Sequence, residues 1–153
     1  MKLSTKGRYA MVAMIDLVLE LDSAGTQHIS LAEIAKRQNV SLAYLEQLFV
    51  KLRRAGLVES VRGPGGGYRL ARPADEIRVA EVLEAVEESY SALQKGVAAT
   101  GALSGSRAQS MSNRLWEGLS AQVYVFLHQT TLADVAFNRL KPCPAVPSLF
   151  QMA

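Results

Sequence analysis

Between Ser41 and Lys51, side chains able to hydrogen-bond base edges recur along one side of an amphipathic stretch. Ser41 can donate to a phosphate or a base edge, Gln47 can read adenine through its amide, and Glu46 can accept from cytosine N4. Ala43 and Tyr44 lie on the same side, Tyr44 as a packing residue or a phosphate donor, and Lys51 and Arg54 add positive charge toward the far end. A carboxylate turned toward a polyanion repels it, so Glu46 either selects cytosine-containing sites or pairs on the helix surface with Lys51 or Arg54. Both readings stand open. Further along, Arg62 precedes Gly63-Pro64-Gly65-Gly66-Gly67 and Arg69 follows it. A glycine turn flanked by cations, with Gly65 at its tip, suits a phosphate backbone or a minor groove. Lys2, Lys6 and Arg8 gather at the start of an apolar stretch, either as ordinary surface charge or as a phosphate clamp aided by the free N–H groups of a helix start.

Other chemistry has little to draw on. The chain has one cysteine and two histidines. Cys143 sits in Lys141-Pro142-Cys143-Pro144, and Cys-Pro also closes ferredoxin-type cluster motifs, so it reads as a cluster ligand or as an incidental thiol. His128 is a second ligand candidate or a helix-surface residue, and His28, in a polar connector, is expected to face solvent without a function. The glycine run is not a phosphate loop, because no Lys-Ser or Lys-Thr pair follows it and a strand comes next. No paired carboxylates in a motif, activated nucleophile or metalloprotease spacing points to an enzyme. A lone cysteine excludes an intramolecular disulfide and suits the cytoplasm. No run of 18 apolar residues is present, so no membrane partner is expected. The apolar stretch Tyr9 to Leu19 is short, contains Asp16 and lacks a small-residue cleavage site, which makes it a helix and not a signal peptide.

The elements that must position these residues follow from local signals. Ser30 and Glu33 form a capping-box pair at a helix start, Gln38-Asn39-Val40 supplies a short turn, and Ser41 caps a second helix. Leu45, Leu48, Phe49 and Leu52 give that helix one buried face, and Gly56 ends it with positive φ. Leu57 to Val61 alternate at strand period, Gly63 to Gly67 turn, and Tyr68 to Leu70 return. Two helices and a hairpin in this order make a winged helix-turn-helix, so the fold class is mainly α with a small β-hairpin. Charge agrees: residues 1–78 hold twelve Lys or Arg against eight Asp or Glu, and residues 79–153 hold five against six. Double-stranded DNA is therefore the expected partner of the N-terminal half.

Around this unit, Ser4 or Thr5 caps a first helix to about Leu21, whose stripe Tyr9, Val12, Ile15 and Val18 or Leu19 is expected to pack behind the helix-turn-helix. Val79, Val82, Leu83 and Val86 mark a helix ending near Glu88, with Glu81, Glu84, Glu87 and Glu88 on its charged face, turned away from DNA. Eleven of the sixteen residues 95–110 are Gly, Ala, Ser or Thr, which predicts a mobile loop. A helix over 111–129 then places Met111, Leu115, Leu119, Val123 and Phe126 near one face with Trp116 beside them. A chain of this size has little core left to cover that stripe, so a homodimer is expected. Thr131 and Asp134 cap a last helix, Leu132 to Leu140, and a Pro-rich tail follows. The expected organisation is a DNA-binding domain at 1–92, a flexible loop at 93–110, dimerisation helices at 111–140 and a tail at 141–153.

MKLSTKGRYA, SLAYLEQLF and KLRRAGLVESVRGPGGGY resemble the IscR-like (Rrf-type) family of winged-helix transcription regulators, over roughly residues 1–92 and again near Leu115-Trp116. The resemblance implies a cytoplasmic homodimer that binds a roughly palindromic operator and represses genes of iron-sulfur cluster or iron homeostasis. In the family's namesake it also implies a [2Fe-2S] cluster held by three loop cysteines and a nearby histidine. Here the pattern departs: anchored on Trp116, Ser110 stands at the last cysteine, Asn113 at the histidine, and the first cysteine falls near Lys95. Three readings follow. The chain regulates without a cluster, sensing another signal; it holds a [2Fe-2S] cluster atypically through Cys143 with His128 or carboxylates, across a dimer; or its loop was engineered to remove cysteines. A protein-interaction module built on the same winged helix is the rival from another class.

Overall fold

A computed structural model describes residues 4–86 and 105–140 of the chain. Its first helix, α1 (Thr5–Ser23), starts where the Ser4 side chain accepts from the Gly7 N–H at 3.4 Å. Among the described residues it packs against α2, α3, the helices that begin at Val79 and Leu132, and the second strand of the hairpin, and Met11 reaches the cluster that holds Leu127 of the long helix. The face it buries is not the expected one. Ala10, Ala13, Met14, Leu17 and Val18 are buried, whereas Tyr9, Val12 and Leu19 are 38%, 40% and 41% exposed. Ile15 is half-buried. Most of α1 is apolar all round, so periodicity could not choose a face. The packing chose a face that sets small Ala10 and Ala13 beside large Met14 and Leu17, and tertiary fit decided where apolar periodicity could not.

The helix-turn-helix follows as expected. In α2 (Leu31–Gln38) the Ser30 N–H donates to Glu33 Oε2 at 3.0 Å and the Glu33 N–H to Ser30 Oγ at 3.3 Å, a complete capping box. Asn39 ends it at φ 52°. The Ser41 hydroxyl accepts from the Tyr44 N–H at 3.4 Å to open α3 (Leu42–Arg54). Leu45, Leu48, Phe49 and Leu52 are buried, and Gly56 follows at φ 76°.

The hairpin pairs β1 (Val58–Val61) with β2 (Gly67–Leu70) antiparallel, in register from Val58↔Leu70 to Val61↔Gly67. Gly67, expected in the turn, is the first residue of β2, and Leu57 and Val58 are both buried, so the alternation starts one residue late. After a 3-10 turn at Ala74–Glu76 come α4 (Val79–Val86), α5 (Arg107–Gln129) and α6 (Leu132–Ala136).

Two boundaries differ from expectation. The helix α5 begins at Arg107, inside the predicted loop, because the Ser106 hydroxyl caps it by accepting from the Gln109 N–H at 3.2 Å. Small-residue composition does not itself forbid a helix once a cap is available. The last helix stops at Ala136 and not at Leu140, where Asn138 turns the chain at φ 53°. Its Thr131–Asp134 capping box is formed as expected. The main core joins α1, α2 and α3 to the hairpin, and a smaller cluster of Val79, Ala80, Leu83 and Leu127 fastens α5 to α4. A short backbone pairing reinforces that joint: the Val79 N–H donates to Thr130 O at 3.0 Å and the Leu132 N–H to Ile77 O at 2.8 Å.

Candidate nucleic-acid interface

With its inner face sealed in the core, α3 presents Ser41, Ala43, Glu46 and Gln47 as exposed residues. Glu46 forms no ion pair with Lys51 or Arg54, so the surface-pair alternative is not realised, and its carboxylate has no partner among the described residues. Tyr44 is half-buried and meets Tyr9 edge-to-face, with ring centroids 5.6 Å apart. That contact brings the start of α1 beside the start of α3. Arg8 and Lys6 therefore sit on an exposed helix start next to the first turn of α3, while Lys2 lies outside the described residues. Lys51 is half-buried, and Arg53 and Arg54 are exposed.

The wing is fastened to this helix at several points. Tyr68 stacks edge-to-face on Phe49 of α3, centroids 5.0 Å apart. Ile29, just before α2, exchanges both backbone bonds with Tyr68, at 2.9 and 2.7 Å, so the hairpin acquires a third short edge partner. Gly67 makes that approach possible: a Cβ there would lie 2.3 Å from the Ile29 carbonyl oxygen. At the tip, Gly65 adopts φ 75°, and its carbonyl accepts a hydrogen bond from His28 Nε2. His28 is thus half-buried and engaged, not the idle solvent-facing residue expected. Arg62 is exposed and makes no ion pair among the described residues, whereas Arg69 is held by Glu59 at 3.0 Å across the hairpin. The two turn-flanking arginines have different employment.

Other side chains set the frame. Asp16, 5% exposed, receives Arg37 Nε at 3.0 and 3.2 Å and Gln38 Nε2 at 3.3 Å, locking α2 onto α1. Glu81, expected on a free acidic face, accepts from Arg72 at 2.7 Å and from the Arg78 N–H at 2.8 Å, tying the exit of the wing to the start of α4. Burial pushes the Glu81 carboxyl up, but the Arg78 N–H and the Arg72 guanidinium outweigh it and leave it below the usual range. The Ser30 N–H and hydroxyl likewise hold Glu33 low. The Ser30–Glu33 box was visible in local spacing, whereas Asp16–Arg37 and Arg72–Glu81 were not; an aspartate inside an apolar helix was the only advance sign of either.

Once these pairs are set aside, ten cations make no ion pair among the described residues: Arg78, Arg107 and Arg114 outside the DNA-binding half or at its exit, and Lys6, Arg8, Lys36, Lys51, Arg53, Arg54 and Arg62 within it. The last seven lie on the start of α1, the helix-turn-helix and the wing. Uncompensated cations around a polar helix edge are what a polyanion requires.

A metal centre has less support. Among the described residues no three His, Cys, Asp or Glu converge. His128 donates through its Nδ1–H to Tyr124 O (2.8 Å), stacks on the Tyr124 ring and faces Glu84 with Nε2 at 3.6 Å. Cys143 lies outside the described residues. On α5, Leu115, Trp116, Leu119 and Phe126 are all exposed, and Val123 is half-buried against the α4–α5 cluster.

The profile of Rrf2, described as an iron-dependent transcriptional regulator, matches residues 3–138. The chain is 68% identical over 152 residues to the HTH-type transcriptional regulator IscR of Cereibacter sphaeroides, covering 99% of this chain and 97% of that one. Among solved structures it resembles T. potens IscR, with 35% identity, a TM-score of 0.70 and coverage of 98% and 96%. It is also similar to CymR, the global cysteine regulator of B. subtilis, with 35% identity, a TM-score of 0.74 and coverage of 90% and 98%.

Proposed function

The chain belongs to the Rrf2 family of transcriptional regulators, and from that premise we propose that it represses genes of iron or iron-sulfur cluster homeostasis by binding a roughly palindromic operator as a homodimer. It is a DNA-binding regulator of the IscR type and not an enzyme. The observation that supports the operator-binding part of this reading is the exposed polar edge of α3, with Glu46 and Gln47 unpaired among the described residues and with uncompensated cations on α1 and the wing around it. On this reading Ser41, Ala43, Tyr44, Glu46 and Gln47 enter the major groove. Lys2, Arg8 and Lys51 hold phosphates, and Arg62 with Gly65 reaches the flanking backbone or minor groove. The exposed stripe Leu115, Trp116, Leu119 and Phe126, continued by Val123, is assigned to a second copy, which sets two recognition helices about 34 Å apart, one turn of duplex. The setting is the bacterial cytoplasm, where the operator is.

Iron enters this proposal through the family and not through a built site. A [2Fe-2S] cluster takes four thiolate or imidazole ligands. One copy of the chain offers a single cysteine and two histidines, of which His28 is committed to the wing. That donor set does not fit a conventional cluster within one chain, so DNA recognition is derived without it. The second reading, a regulator answering another signal, draws its support from this shortfall, whereas an atypical cluster needs Cys143 with His128 or carboxylates of both copies.

The test is a salt series of operator binding by the wild type and by a Gln47→Ala/Arg62→Ala variant. A steep salt dependence that flattens in the variant, with affinity down at least tenfold, is expected. Unchanged DNA affinity beside DNA-independent capture of a protein partner would favour the interaction-module alternative. Anaerobic purification with iron and sulfide assays, repeated on Cys143→Ala, separates a cluster protein from a cluster-free one.

A further inference from the structure

His28 is the one side chain outside the hairpin that bonds the tip of the wing among the described residues. The contact spans 37 positions of sequence and joins the connector ahead of α2 to the carbonyl of Gly65. A carbonyl only accepts, so the imidazole presents Nε2 as its N–H. Ser30, Glu33 and Gly66 line the same cleft, which places the latch directly against the capped start of α2.

The base and the tip of the wing are held differently. At the base, the Ile29–Tyr68 backbone pair and the Phe49–Tyr68 ring contact fix β2 against the helix-turn-helix. Neither reaches the turn that carries Arg62. That turn has positive φ at Gly63 and Gly65 and an internal bond from the Gly66 N–H to Gly63 O at 2.9 Å. Glycine-rich turns keep much conformational freedom, and ordering one on DNA costs binding free energy unless it is ordered beforehand.

We propose that His28 is a positioning residue for DNA binding: its hydrogen bond to Gly65 holds the wing tip in one pose and so aims Arg62 at the duplex. The proposal rests on the operator-binding reading above and adds to it a residue that itself touches no DNA. A glutamine at 28 retains an amide donor on a chain of similar reach, whereas alanine removes the donor outright.

The experiment compares wild type, His28→Ala, His28→Gln, Arg62→Ala and the His28→Ala/Arg62→Ala pair. Affinity is read by fluorescence anisotropy on a duplex that the wild type has selected from a random library. Nitrogen-15 relaxation of Gly65 and Gly66 is read on the DNA-free protein. The expected result is a three- to tenfold loss, of about the size of one hydrogen bond, in His28→Ala. It is accompanied by a more mobile Gly65 and Gly66, with recovery in His28→Gln and no further loss when His28→Ala is added to Arg62→Ala. The same loss with and without Arg62, or an unaltered wing tip in DNA-free His28→Ala, overturns the proposal. So does unchanged affinity of His28→Ala beside intact wild-type binding, which sinks this proposal alone. A wild type that selects no duplex sinks the operator-binding reading, and this one with it.

Discussion

Asp16 is a carboxylate on the inward side of a helix whose buried neighbours are apolar, and both its oxygens are taken by Arg37 while Gln38 adds a further donor. Removing one member of a buried pair leaves the other uncompensated, but the Arg37 guanidinium is open enough to solvent to recover part of that loss. Asp16→Ala should therefore lower stability by about 2 kcal/mol, read from urea unfolding, well below the cost of a fully enclosed pair. Glu33, Glu81 and Asp134 behave as a set. Each has its folded pKa held below the ordinary value by backbone donors at a helix start, with burial opposing the effect most at Glu81. A depressed carboxylate contributes stability that is fully present above its unfolded pKa and is lost as pH falls through the folded one. The urea midpoint should be flat above about pH 5 and fall below it, and Glu81→Gln should lower the plateau while making the acid decline shallower. The sequence shows the capping boxes at Ser30 and Thr131 outright, because both partners lie within one turn. It is silent on Asp16–Arg37 and on Arg72–Glu81, because their partners meet only after helices have packed.

At the scale of the element, the wing shows where glycine does two jobs that look alike in a sequence. Gly65 supplies the left-handed turn, whereas Gly67 is strand, needed because the Ile29 backbone crosses where a side chain would stand. Gly67→Ala should accordingly detach β2 from Ile29 and cost about 2 kcal/mol, the range for overpacking a close contact. It should show as a lower melting temperature together with weakened DNA binding. The helix-turn-helix and the hairpin were legible because caps, a four-residue buried face and a glycine turn are local signals. The buried face of α1 was not, since its apolar residues surround the axis, and neither was the start of α5, where one serine cap overrules a run of small residues.

For the whole molecule, the unfinished surface is the stripe on α5, and it contains the only tryptophan in the chain, Trp116, 49% exposed. If two copies bury that stripe, Trp116 emission should shift to the red on dilution as the dimer dissociates, and Leu119→Asp should give a monomer by sedimentation at all concentrations. Tyr9, Val12 and Leu19 of α1 form a second exposed apolar row that the sequence had assigned to the interior. The outer edge of α3 has the opposite character. Ser41 caps the helix and Tyr44 packs on Tyr9, so the fold has a stake in both, but Ala43, Glu46 and Gln47 are exposed, and their side chains make no hydrogen bond or ion pair among the described residues. Substitutions at those three positions are close to neutral for folding. A gene duplicate of this regulator could therefore drift to a new target there without first acquiring stability to spare, whereas drift at Ser41 or Tyr44 would have to await compensation elsewhere.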